Sequence, residues 1–181
     1  MVYVALLRGI NVGGNSKVEM SRLKTMFETL GCAQVLTYIN SGNVIFSDPR
    51  PASKLVPLIE AEIEKEFSLP VRVVLRDFAN ISLLNKEIPA DWVNDTTQKT
   101  DVMFLWEELD NEDVMQKLQI KPDLDRVRYL PGAVVWNVDR DKVTRSGMLR
   151  LVGTPVYKLM TIRNVNTLRK LFALMSNIKE A

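Results

Sequence analysis

The stretch LLRGINVGGNSKVEM, Leu6 to Met20, concentrates the groups best suited to holding a ligand. Against the phosphate-loop template G-x-x-x-x-G-K-[ST], Gly9 to Ser16 match at both glycines and at the serine. Asn15, however, stands where a lysine would neutralise the β- and γ-phosphates. No hydrophobic strand ends in a suitably placed acidic partner for such a loop, which argues against nucleotide hydrolysis. The physics beneath the motif survives the mismatch. A glycine-rich turn feeding a helix exposes backbone amides and the positive end of the helix dipole. Arg8 and Lys17 flank it with full charges, and Asn11 and Asn15 add amide donors. Arg8, Asn11, Gly13, Gly14, Asn15 and Lys17 therefore form a candidate set for a small anion. The competing explanation is that the glycines permit positive φ and Asn15-Ser16 cap the helix.

Two further segments are dense in polar groups. The turn in TYINSGNVIF offers Asn40, Ser41 and Asn43 as a possible second polar loop. We expect it at the opposite end of the sheet from the glycine loop, as turn residues. In RNVNTLRK, Arg163 presents a bidentate fork for carboxylate or phosphate. Asn164 or Asn166 is suited to cap the following helix, with Thr167 next. Arg169 and Lys170 come early in that helix, where the dipole disfavours cations. Such a placement calls for a partner, an acidic neighbour or an external anion.

The chain contains no histidine and one cysteine, Cys32. A Ser-His-Asp or Cys-His triad cannot be assembled, and zinc would be left with carboxylates as its main ligands. We expect no metal and no cofactor. Proton transfer near neutral pH would fall to a shifted Asp, Glu, Lys or Tyr, with Tyr38 and Lys17 the nearest candidates. Net charge is +2, but residues 1–139 carry 15 Lys/Arg against 20 Asp/Glu, while residues 140–181 carry 9 against 2. A basic final quarter on an acidic body suits an anionic partner or a solvated helix face. No apolar run approaches the ~18 residues of a membrane helix. The N-terminal sequence lacks the marks of a secretory signal, so a cytoplasmic location is expected.

The elements that would position these groups follow from periodicity. VYVALLR is a short aliphatic run, expected as a buried strand. Ser16 and Glu19 fit a capping box opening a helix, along which Leu23, Met26, Phe27 and Leu30 recur at helical spacing. QVLTYIN and NVIFSD make a hairpin, Ser53 to Phe67 a helix with Pro57 in its first turn, and VRVVLRD a strand. That β-α-β-β-α-β order is the ferredoxin-like unit. After a short helix, KEIPADWVNDTTQKT is the best linker. DVMFLW, a helix at Asn111 to Gln119 and the RVRYL-PG-AVVWNV hairpin then repeat the pattern. A basic loop and a helix at Asn166 to Ser176 close it. The expected fold is α+β: two ferredoxin-like βαββα(β) units packed together, the second incomplete, with a C-terminal helix. The expected division is residues 1–85, a linker at 86–100, and 101–181.

With ALLRGINVGGNSKVEM, TYINSGNVIF and RNVNTLRKL in order, nearly the whole chain resembles a bacterial family catalogued as domain of unknown function 1697. It departs at Val165, where the family's R-N-W-N-T motif has tryptophan, which removes an aromatic platform there. The resemblance implies paired ferredoxin-like units in a cytoplasmic bacterial protein, and it transfers no catalytic residue. Three functions are then open. One is binding of a small phosphorylated or carboxylated metabolite at the glycine loop, where any catalysis would be electrostatic. Another is single-stranded RNA or other nucleic-acid binding on the sheet face, with Tyr3 and Phe46 stacking on bases. The third is protein interaction alone, with an open strand edge of the incomplete unit pairing two chains as a homodimer.

Overall fold

The structure, a computed structural model, describes residues 1–13 and 17–180. The chain divides into two compact units, Met1–Ala79 with the segment from Leu171 onward, and Asn80–Lys170. The expected boundary gave the whole of 101–181 to the second unit. The last helix is instead shared between the two, because Phe172 stacks on Phe78 at 5.8 Å and Lys179 lies over the same ring.

In the first unit the order is β1 (Val2–Leu7), α1 (Met20–Thr29), β2 (Ala33–Tyr38), β3 (Asn43–Ser47), α2 (Ala52–Phe67) and β4 (Val73–Asp77). The strands form one antiparallel sheet in the order β2-β3-β1-β4. VYVALL has no polar alternation because β1 is central and buried on both faces. Tyr3, Ala5 and Leu7 face a core shared with Leu23, Met26 and Phe27 of α1 and Leu55, Ile59 and Ile63 of α2. Pro57 lies inside α2, past its first turn, where it removes one ladder hydrogen bond. Beyond β3, Asp48 accepts two hydrogen bonds from the Arg50 guanidinium, at 2.8 and 2.6 Å, one from Arg50 N at 2.8 Å and one from the Cys32 thiol at 3.6 Å. Bonding to Arg50 holds the Asp48 carboxyl below its usual range, while burial and Asp48 push the Cys32 thiol up to about 11. Cys32 is thus an inert packing residue.

The second unit begins within α3 (Phe78–Glu87) and contains β5 (Gln98–Leu105), β6 (Asp125–Leu130), β7 (Ala133–Asp139) and β8 (Met160–Asn164), ordered β6-β7-β5-β8. α4 (Val165–Glu180) follows. The unit is short of helices rather than strands. Short 3-10 segments, such as Glu112–Lys117 where a longer helix was expected, replace the crossover helices. β8 pairs antiparallel with β5 and fills the edge expected to be open.

One anchor holds the loop between β7 and β8 in place. Asp125 is buried and accepts from Ser146 Oγ at 2.5 Å, Lys121 N at 2.9 Å and Gly147 N at 3.0 Å. Burial pushes its carboxyl up, but these bonds outweigh burial and leave it below the ordinary value. Gly147 packs so closely that a Cβ there would meet the Gln119 carbonyl oxygen at 1.7 Å.

Gly147→Ala should therefore lose about 2 kcal/mol or more in urea unfolding, because the obstacle is backbone that cannot swing aside. A depressed folded pKa stabilises above the unfolded value of about 3.9 and is lost as pH falls through the folded one. Asp125→Asn should destabilise by roughly 1–3 kcal/mol at pH 7, since its amide would face two backbone N–H donors. The gap to wild type should narrow below pH 4. A gap constant from pH 7 to pH 3 would show that the carboxylate's charge is not what anchors the loop.

Candidate functional site

The loop leaving β1 is built around a clasp. Ile10 and Val18 are buried in the first unit's core and pin the two ends of the loop. Between them Asn11 Nδ2 donates to Val18 O at 2.9 Å, while Asn11 Oδ1 accepts from Val18 N at 2.8 Å. Asn11 adopts φ +55, a left-handed conformation asparagine tolerates, and Gly9 and Gly13 take φ +73 and +62. The other Asn11 amide hydrogen goes to Asn40 O at 2.9 Å. Both hydrogens are engaged by carbonyls, so Asn11 positions the loop and is not itself a donor for a ligand.

That last bond corrects the expectation that the two polar loops lie at opposite ends of the sheet. In a β1-α1-β2 crossover β1 and β2 run parallel, so the turn leaving β2 emerges beside the loop leaving β1. The register agrees, with Leu6 opposite Asn43 and Leu7 N donating to Gly42 O at 2.9 Å. Gly42 has φ +78, and a Cβ there would stand 2.6 Å from Ile10 Cδ1 and 2.8 Å from Leu7 Cβ. Asn43 is buried, its Nδ2 donating to Tyr38 O at 2.9 Å and Ser41 Oγ at 3.1 Å. It shapes the hairpin, leaving Asn40 and Ser41 nearer the surface.

The helix does not begin where a capping box at Ser16 would start it. α1 opens at Met20, with Glu19 at the cap position and no side-chain cap bond. Lys17, Val18 and Glu19 intervene as non-helical chain. The amide of Gly13 is therefore not part of a helix N-terminus, and the dipole argument for this loop lapses. Gly14, Asn15 and Ser16 lie outside the described residues.

Charge gathers at this end all the same. Arg8 is half-buried and Lys17 exposed. Arg8 N donates to Arg72 O at 3.0 Å, continuing the β1–β4 register in which Leu7 opposes Val73. Arg72 is exposed, and sequence reasoning missed it. Its signal was available: it stands one residue before β4, as Arg8 stands one residue after β1, on strands that pair antiparallel.

Arg163 belongs to the second unit, on β8. It is buried, donates through Nη1 to Thr161 Oγ1 at 3.1 Å and Ile162 O at 2.8 Å, and burial pulls its pKa down to about 10. Asn164 caps α4, its Oδ1 accepting from Thr167 N at 2.9 Å. Arg169 finds its compensating partner inside the protein, in the carbonyls of Pro89, Ala90 and Trp92.

Tyr3 and Phe46 are buried and in contact with each other at 5.8 Å, with Phe27 against Phe46 at 5.1 Å. They are core residues, and neither can stack on a base without unfolding the sheet. Among the described residues no cluster of three or more metal-ligating side chains occurs, and no helix is long and apolar enough to cross a membrane.

A search of curated proteins finds no match to this chain. Among solved structures it is similar to the conserved bacterial protein SP0830 from Streptococcus pneumoniae. The two share 27% identity and a TM-score of 0.84, over 96% of this chain and 98% of that one. The family model described as "Protein of unknown function (DUF1697)" matches residues 1–136, three quarters of the sequence. The chain belongs to the DUF1697 family of proteins of unknown function.

Proposed function

We propose that the end of the first sheet where the glycine loop meets the β2–β3 hairpin binds a small phosphorylated or carboxylated metabolite. The observation that carries this reading is the pair of hydrogen bonds Leu7 N to Gly42 O and Asn11 Nδ2 to Asn40 O. They turn two separate polar loops into one surface, beside Arg8 and Arg72. An oxyanion there would draw on the positive charge of Arg8 and Arg72, with the exposed residues Gly13 and Lys17 on the same loop. Asn40 and Ser41 would orient the rest of the ligand. With no histidine in the chain, any reaction at this site would rest on charge stabilisation by arginine and backbone amides.

The test is thermal unfolding of the full chain against a panel of sugar phosphates, nucleotides and small carboxylates. A ligand at ~100 times its Kd adds roughly 2.7 kcal/mol, raising Tm by roughly 5–10 °C for a chain of this size. The rise should disappear in Arg8→Ala and fall in Arg72→Ala, with the ligand-free Tm little changed. A panel with no shift, or shifts that persist in both variants, refutes the reading. Gly42→Ala should weaken the same ligand while leaving the second unit's hydrogen exchange unaltered, because its Cβ pushes the hairpin off Leu7 and Ile10.

A further inference from the structure

The second unit contains a groove of about 460 Å³ along the turn that follows α3, lined by Lys86, Glu87, Pro89, Ala90, Arg128 and Arg169 among others. That volume lies in the range of small-molecule sites. We propose that it is a second oxyanion site, independent of the one at the glycine loop, in which Arg128 and Arg169 together take the carboxylate or phosphate of a small ligand.

Both guanidiniums are fixed in place by groups other than carboxylates. Arg169 Nη2 points at three backbone carbonyls, Trp92 at 3.1 Å, Pro89 at 3.3 Å and Ala90 at 3.4 Å. Arg128 lies over the ring of the same Trp92, 5.5 Å from its centroid. Trp92 is buried, so one rigid residue orients both arginines. Among the described residues neither arginine has an ion-pair partner, and Nε and Nη1 of Arg169 make no hydrogen bond. The one carboxylate in the groove, Glu87, lies 3.9 Å from Lys86 Nζ and offsets that charge. What remains is two preoriented forks with donor edges still open. Such an arrangement suits a planar or tetrahedral oxyanion and loses little side-chain entropy on binding it. Pro89 and Ala90 give the groove an apolar wall, so a ligand with a short carbon body fits better than a bare ion.

The experiment is a titration of the ¹⁵N-labelled full chain with inorganic phosphate and, separately, with citrate, at constant ionic strength set by sodium chloride. The Trp92 indole resonance, assigned by Trp92→Phe, and the Arg169 Nε resonance are followed. Saturable shifts at both positions are expected, with affinity falling at least 10-fold in Arg128→Gln. Arg128→Lys, which keeps the charge but loses the fork, should fall between the two. Saturation with one anion alone identifies its class as the site's. Shifts that grow linearly, or that match in wild type and Arg128→Gln, overturn the proposal. Arg8→Ala should leave the titration unchanged; a loss there would mean that the glycine loop, not this groove, is what the resonances report.

Discussion

The close approach of Gly42 to Leu7 and Ile10 is the contact on which the first unit's functional end depends. A Cβ at that position would stand 2.6 Å from Ile10, so only glycine lets the hairpin settle against the loop that leaves β1. Once seated, the Gly42 carbonyl receives Leu7 N and the Asn40 carbonyl comes within reach of the Asn11 amide. Asn11 can meet it only because its own left-handed backbone turns the side chain back across the loop neck to Val18. Glycine clearance, asparagine conformation and strand register thus act in series. Each alone is ordinary, and together they hold two exposed loops against one another.

Much of this was legible in the sequence, and the omissions have physical causes. The apolar run VYVALL, the helical spacing of Leu23, Met26 and Phe27, and the Pro131-Gly132 turn encode local structure, and these elements occur where expected. β8 was not legible, because MTIRN places a charged residue mid-strand and Arg163 is accommodated only by burial against Thr161. The 3-10 turns were missed because short segments pinned by side-chain anchors such as Asp125 leave no periodic trace. The clasp made by Asn11 spans seven residues to Val18 and 29 to Asn40, distances over which no sequence pattern operates. The glycine loop was legible in its composition and not in its geometry. Gly9 and Gly13 do take positive φ, but the helix the loop was expected to open begins later.

The basic final quarter shows how composition can mislead. Its net positive charge suggests a patch for an anionic partner, yet much of it is directed inward. Arg140 donates to the carbonyls of Asp95 and Gln98 and to Asn94 Oδ1. Lys142 pairs with Asp139, Arg163 is buried, and Arg169 reaches three carbonyls. In a unit short of regular helices, many carbonyls end turns without an intrahelical donor, and long cationic side chains satisfy them. The excess of arginine and lysine here is partly the structural cost of replacing helices with turns.

The two units then explain each other. Leu105 N donates to Gly132 O at 3.0 Å as Leu7 N does to Gly42 O, and Trp106 N to Leu159 O at 3.1 Å as Arg8 N does to Arg72 O. Asp110 Oδ1 even ties the loop after β5 to its hairpin, accepting from Gly132 N and Tyr129 OH, in the role Asn11 has in the first unit. Two backbone bonds of the scaffold at this end are therefore repeated, and each hairpin is tied down by a side chain. The chemistry is not repeated: where the first unit has Arg8 opposite Arg72, the second has Trp106 opposite Leu159, followed by Glu107 and Glu108. The same backbone bonds thus carry two arginines in one copy and two apolar residues in the other, so the strand pairing does not dictate which side chains stand at this end.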